Sequence, residues 1–242
     1  MNSTENTHEN FIIIGGCHVA GFGAEGKPSF VDIIESKLNL KCIFKKSNFR
    51  LEHIERLDFI LDNYKSSLVF VQLGNIEFNG SLRMFSMFNN SMKSDVSTFK
   101  GNRRKSTISK ENEFNEGHSW LYSLLLFVLK RILMPVIWAE TKLKNEKYLF
   151  LLRDIVLRNS DKTFVILSPL PCYKTPSAIV RKKAISYYRF FFSLPNVVLI
   201  NSFDQFPLAK DFFFNKRHLN AKGHELLGYF ICENLLSSSF YK

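Results

Sequence analysis

Five short runs of apolar, largely β-branched residues alternate with segments of helical period, and this alternation constrains the fold more than any other feature. The first run is Phe11-Ile-Ile-Ile, closed by Gly15, and the third is Ser67-Leu-Val-Phe-Val-Gln-Leu, closed by Gly74. Lys41–Lys45, Thr163-Phe-Val-Ile-Leu-Ser-Pro169 and Asn196-Val-Val-Leu-Ile-Asn201 supply the others. Between them the apolar spacing predicts helices over Lys27–Leu40, where Pro28 suits a first turn, over Leu51–Leu61, about 142–158, about 176–192 and Ala221–Leu236. Such continuous runs are buried on both faces. The expected architecture is therefore one α/β domain spanning 1–242, a three-layer α/β/α sandwich around a five-stranded parallel sheet.

Residues 78–118 break this rhythm. They are rich in Asn, Ser and Lys, include Arg103-Arg104-Lys105, and read as an insertion. Trp120–Ala139 is strongly apolar but holds Lys130, Arg131 and Pro135. Each such charge costs about 2.5–3.5 kcal/mol at mid-bilayer. A kinked helix packed on the sheet is expected rather than a membrane span, with a helix lying on a membrane surface as the alternative.

The chain of 242 residues carries a formal net charge of +11, of which +9 falls between residues 119 and 190. The simplest reading of that stretch, Arg181-Lys182-Lys183 included, is a solvated basic face. Its functional alternatives are an acidic carrier protein, an anionic donor or peripheral membrane contact. Nucleic acid is disfavoured, because no recognition motif accompanies the charge. With 25 Phe, the core is expected to lean on that residue. Cys17, Cys42, Cys172 and Cys232 are far apart and show no C-x-x-C spacing. The polar opening residues lack a basic region leading into an apolar stretch, so no signal peptide is expected. Free thiols in a cytoplasmic protein follow as the default.

In a parallel sheet, ligands bind beyond the carboxyl ends of the strands. The first strand run ends at Gly15-Gly16-Cys17-His18, and the third at Gly74-Asn75-Ile76-Glu77. Asn215-Lys216-Arg217-His218-Leu219-Asn220 stands just before the last helix. Together they gather a thiol, amides, a carboxylate and histidines, the groups that acyl transfer needs. In order and spacing these segments resemble the blocks of the SGNH/GDSL hydrolase family. The strongest piece is Asn215-x-x-His218-Leu219-Asn220-x-x-Gly223, which is similar to that family's D-x-x-H-x-N-x-x-G segment. The resemblance implies a flavodoxin-like, SGNH hydrolase-like fold and activity on small acyl esters or acylated sugars, including those of polysaccharide metabolism.

The chain departs from the family pattern in a coordinated way. Cys17 stands where the family has its nucleophilic serine, and Gly16 replaces the preceding Asp. Asn215 replaces the orienting Asp, and Asn75 lies one position before the family's oxyanion Asn, where Ile76 falls. Ser47-Asn48-Phe49-Arg50 lacks the glycine of the second block. A thiol next to histidine can form a thiolate–imidazolium pair, which a neutral amide suffices to orient. Cys17, His218 and Asn215 are thus the candidate nucleophile, base and orienting group. Asn75, then Asn48, are the candidate oxyanion donors. Gly16, Gly74, Glu77 and His18 complete the oxyanion and substrate site, with Glu77 holding its loop through backbone N–H bonds or touching substrate, and His18 tuning the thiol or simply packed.

Other readings are weaker. Cys42, Cys172 and Cys232 read as small core hydrophobes. His224 reads as structural. Gly21, Gly23 and Gly26 form G-x-G-x-x-G after a strand, but Pro28 opens the helix too late and residues 41–50 offer no acidic ribose ligand. No metal-ligand spacing joins Cys17, His18 and His218, so neither metal nor cofactor is expected. A catalytically inactive SGNH-fold protein that binds a carbohydrate or acyl ligand is the alternative to an enzyme.

Overall fold

The computed structural model describes residues 10–78, 128, 131–172, 177–205, 210–215 and 217–238. The 78–118 insertion, apart from Phe78, and half of Trp120–Ala139 lie outside them. The chain divides into two compact units, Met1–Gly80 with Trp138–Lys242, and Ser81–Ile137. The first carries the sheet.

Its strands are β1 (Asn10–Gly15), β2 (Lys41–Lys46), β3 (Leu68–Gln72), β4 (Thr163–Leu167) and β5 (Val197–Ile200). All four pairings are parallel, in the order β2-β1-β3-β4-β5. β1 and β3 run in register from Phe11 opposite Leu68 to Gly15 opposite Gln72, which brings their carboxyl ends level. The fold is the α/β class that the alternation predicts.

The helices are α1 (Phe30–Leu38), α2 (Arg56–Asn63), α3 (Met134–Arg158), α4 (Ser177–Tyr188) and α5 (Ala221–Ser237). α1 begins later than expected, because Ser29 and Asp32 form a capping box and leave Pro28 ahead of the cap. The segment predicted as one helix over Leu51–Leu61 is a 3₁₀ turn, Leu51–His53, followed by α2. Pro135 is the second residue of α3, where a first turn needs no N–H from it, and Arg131 and Ile132 just before are helical too, with the turn residue Leu133 between.

Successive strand residues point to opposite faces of the sheet. Phe11, Ile13, Leu68, Phe70, Val165 and Leu167 belong to one buried cluster with Phe30, Ile34, Leu227 and Ile231 of α1 and α5. Phe11 and Phe70 meet edge to face with ring centroids 5.1 Å apart. Their neighbours Ile12, Ile14, Val69, Val71, Phe164 and Ile166 are equally buried. Cys172 and Cys232 are buried as expected of core thiols. Cys42 is only half-buried, because β2 is an edge strand.

Candidate active site

The chain leaves β1 through Gly16 into a 3₁₀ turn, Cys17–Ala20. The Gly16 N–H is taken by Gln72, 3.3 Å from its carbonyl and 3.4 Å from its side-chain oxygen. Gly16 therefore ties β1 to β3 and offers no donor to a ligand, contrary to expectation. Cys17 is half-buried, and its sulfur lies 3.9 Å from His18 Nδ1. Burial pushes the thiol above its ordinary pKa, while the N–H groups of Cys17 and His18, and then the charge of Arg181, pull it down. The expected resting ion pair is thus not favoured, because desolvation penalises a thiolate here.

His18 is 1% exposed, and its Nε2 accepts the Leu219 N–H at 3.2 Å. That bond places the ring proton on Nδ1, facing the sulfur. Burial holds its imidazole well below the usual range, so it is a neutral ring that donates. His18 is therefore a hydrogen-bond hub joining the end of β1 to the loop that carries His218.

That loop is tight. Phe213 bridges Leu219, Phe214 N–H donates to the His218 carbonyl at 2.8 Å, and Asn220 caps α5 through the Gly223 N–H. At its tip, Asn215 Oδ1 accepts from the N–H groups of Arg217 and His218 and lies 3.0 Å from His218 Nδ1. An amide oxygen can only accept, so Nδ1 carries the proton and the Nε2 lone pair is that of a base. The His218 ring packs on Phe22 at 4.7 Å and lies 5.5 Å from the His18 ring. The sulfur's hydrogen-bond contact among the described residues is thus His18, whose ring neighbours that of His218 at 5.5 Å. Gly23 lets this loop approach: its φ is +93°, and a Cβ there would meet the Leu219 carbonyl oxygen at 1.9 Å.

Asn75 is buried after β3, whereas Ile76 is 41% exposed, so the displaced asparagine rather than the residue in strict register faces inward. Its Oδ1 accepts the Leu170 N–H at 2.7 Å, which fixes the carboxamide and puts its nitrogen 3.4 Å from His18 Nδ1. Both nitrogens carry protons in the tautomer that Leu219 imposes, so this contact is no hydrogen bond and leaves the amide a donor toward the site. Gly74 turns the chain with φ +93°, and its N–H goes to Glu77 Oε2 at 3.0 Å. Glu77 Oε1 takes the Leu51 N–H at 2.8 Å. The carboxylate thus fastens two loops, and the Gly74 N–H is unavailable to an oxyanion. Asn48 is exposed with φ +56°, so a short amide side chain adopts the left-handed conformation in the block that lacks a glycine.

His224 is fully buried, taking the Phe30 N–H on Nδ1 and placing Nε2 2.9 Å from the Phe22 carbonyl, a structural role. The hub role of His18 and the burial of Arg181 were not read from sequence. Arg181 is 3% exposed rather than part of a solvated cluster, unlike exposed Lys182 and Lys183. The helical spacing of Ser177, Val180, Arg181, Ala184 and Tyr188 on the buried face of α4 was the available signal. No group of three or more His, Cys, Asp or Glu with metal-binding geometry occurs among the described residues. Nor is any described helix long and apolar enough to cross a membrane.

No family model and no curated protein matches the sequence. Solved structures do match. The lipase Lip_vut3 from a goat rumen metagenome superposes with a TM-score of 0.57 at 14% identity, covering 93% of this chain and 96% of its own. The acetylxylan esterase Axe2 from Geobacillus stearothermophilus gives 0.57 at 12% identity, with 99% of both chains covered. A putative lipolytic protein of the G-D-S-L family from Desulfitobacterium hafniense gives 0.56 at 10%, covering 93% of this chain and 99% of its own. With β1, β3 and the loop before α5 delivering their side chains to one edge of the sheet, this chain has the SGNH/GDSL hydrolase fold.

Proposed function

We propose that this chain is an acyl-ester or thioester hydrolase, or an acyltransferase, in which Cys17 forms an acyl-thioester. One observation carries the reading: Asn215 fixes the His218 tautomer that leaves a basic Nε2, on a loop bonded to the residue beside Cys17. The esterase and lipase structures that share the fold point to small acyl esters, acylated carbohydrate among them.

The Cys17 sulfur attacks the acyl carbon as its proton passes to His218 Nε2, so no resting thiolate is required. Catalytic hydrogen bonds that are long without substrate tighten in its complex. The His18 Nδ1–H supports the developing charge on sulfur. Oxygen charge in the tetrahedral intermediate falls to the Cys17 N–H and the Asn75 carboxamide. Collapse breaks the bond to the leaving group, which takes the proton from His218. Water, deprotonated by the same nitrogen, then splits the thioester and restores the thiol; an acceptor hydroxyl in its place completes transfer.

The test is turnover of p-nitrophenyl acetate, with mass spectrometry of the quenched enzyme. A 42-Da acetyl adduct on Cys17 (about that mass by simple chemistry) and loss of turnover in Cys17→Ala are expected. Unchanged turnover in Cys17→Ala refutes the reading. The second reading, a silent binding protein, is favoured by the sulfur's contact with His18 rather than His218 and by the burial that raises its pKa. It requires no adduct and no turnover.

A further inference from the structure

Arg181 is a buried guanidinium that the proposed chemistry does not use. From α4 it donates to the Leu170 carbonyl at 3.0 Å and to the Asn75 carbonyl. Leu170 in turn gives its N–H to Asn75 Oδ1. The three residues close a ring: the guanidinium holds both backbones, and one of those backbones holds the Asn75 side chain. Tyr188, two turns along the same helix, adds a separate tie by donating to the Leu73 carbonyl at 3.3 Å. A buried charge used only for packing is replaceable by an apolar side chain at little or no loss of stability. A planar fork that satisfies two carbonyls from two different loops is not.

The geometry assigns Arg181 as a positioning residue that locks the loops after β3 and β4 together and so aims the Asn75 carboxamide at the site. It acts through Asn75 and does not touch substrate. The assignment deepens the reading in which Asn75 donates to the oxyanion, and it rests on that reading for its kinetic consequence. The loop lock itself does not.

The experiment is a double-mutant cycle on p-nitrophenyl acetate with Arg181→Lys, Asn75→Ala and both together. Lysine keeps the charge and loses the fork. Asn75→Ala is expected to lower kcat by about 10²–10³-fold, as for other oxyanion donors. Arg181→Lys is expected to lower kcat about tenfold or more with KM within about twofold, and to add nothing in the Asn75→Ala background. The pH profile of Cys17 alkylation stays unchanged in Arg181→Lys, since the charge is kept. Wild-type kcat in Arg181→Lys, or losses that multiply in the double variant, overturn the assignment. Where lysine prevents folding, Arg181→Gln, which keeps a donor but not the charge, is judged by the kcat, KM and double-variant criteria alone. A readout independent of activity is the ¹⁵N-edited NMR spectrum of the Asn75 side chain. A dispersed, slowly exchanging NH₂ pair in the wild type that averages in Arg181→Lys supports the lock, and an unchanged pair overturns it. Turnover that survives Cys17→Ala refutes the enzyme reading alone, leaving the NMR result to decide the lock.

Discussion

Gly23 meets the His218 loop more closely than any side chain allows, so Gly23→Ala is a direct lever on the distance between Cys17 and His218, the proposed nucleophile and base. The added Cβ would lie 1.9 Å from the Leu219 carbonyl oxygen. Ordinary contact begins near 3.4 Å, so the loop or the glycine turn has to retreat by about 1.5 Å. That retreat stretches the 3.2 Å bond from Leu219 N–H to His18, one residue from the base. A misplacement of about 1 Å costs roughly a hundredfold in rate, and this is the fall in kcat expected for p-nitrophenyl acetate. Backbone strain adds a separate cost, because φ is +93° at Gly23. A non-glycine residue there loses about 1–3 kcal/mol of stability. Gly26→Ala isolates that strain: its φ is +79°, with no atom within 4 Å of the added Cβ. Both variants are expected to melt several degrees lower, and only Gly23→Ala to lose turnover. Equal kcat in the two would refute the claim that this contact places His218.

Removing the Nδ1 acceptor with Asn215→Leu frees the His218 tautomer and is expected to cost about 10²-fold or more in kcat, whereas Asn215→Asp favours the imidazolium and moves the acidic limb of the kcat/KM profile to higher pH. Burial holds His18 and His224 below the ordinary histidine pKa of 6.5. The unfolded chain therefore binds more protons than the folded one below pH 6.5. Stability is full above that pH and falls beneath it, by up to roughly 1.4 kcal/mol per pH unit for each ring. Thermal melts between pH 5 and 8 (about the window these rings set) check this, and a melting temperature flat across the range contradicts it. Glu77→Gln leaves one of its two backbone N–H partners facing an NH₂ group and is expected to cost about 1.5–3 kcal/mol by urea denaturation; a variant as stable as the wild type would remove Glu77 from its role.

The sheet was legible because its strands are buried on both faces. Phe11–Ile14 and Leu68–Val71 are continuous apolar runs for that reason, and their ends marked the site edge. Asn215 and His218 were legible as a pair because the bond between them is local, spanning three residues. What the residues did not show are contacts set by long-range packing. The proton on His18 depends on Leu219, 201 positions away. Arg181 looks like its exposed neighbours Lys182 and Lys183 until the face of α4 is known. The thiol's pKa direction depends on how much water reaches Cys17, and composition is silent on that. The loss of the N–H groups of Gly16 and Gly74 to Gln72 and Glu77 belongs to the same class.

β3 and β4 are adjacent in the sheet, yet about ninety residues separate Gln72 from Thr163. Closing a connection of that length costs about 4 kcal/mol of chain entropy, met only when the two strands zip together. β2, β1 and β3 can pair without it, and so can β4 and β5. The thiol follows β1 in the first group, while Leu170 and Arg181 lie between β4 and β5 and His218 follows β5. On the function proposed above, Cys17 and His218 therefore come together only at this long-range step: a chain in which β2, β1 and β3 alone have paired holds Cys17 at a strand end, but neither the loop that carries His218 nor the helices that complete the core cluster.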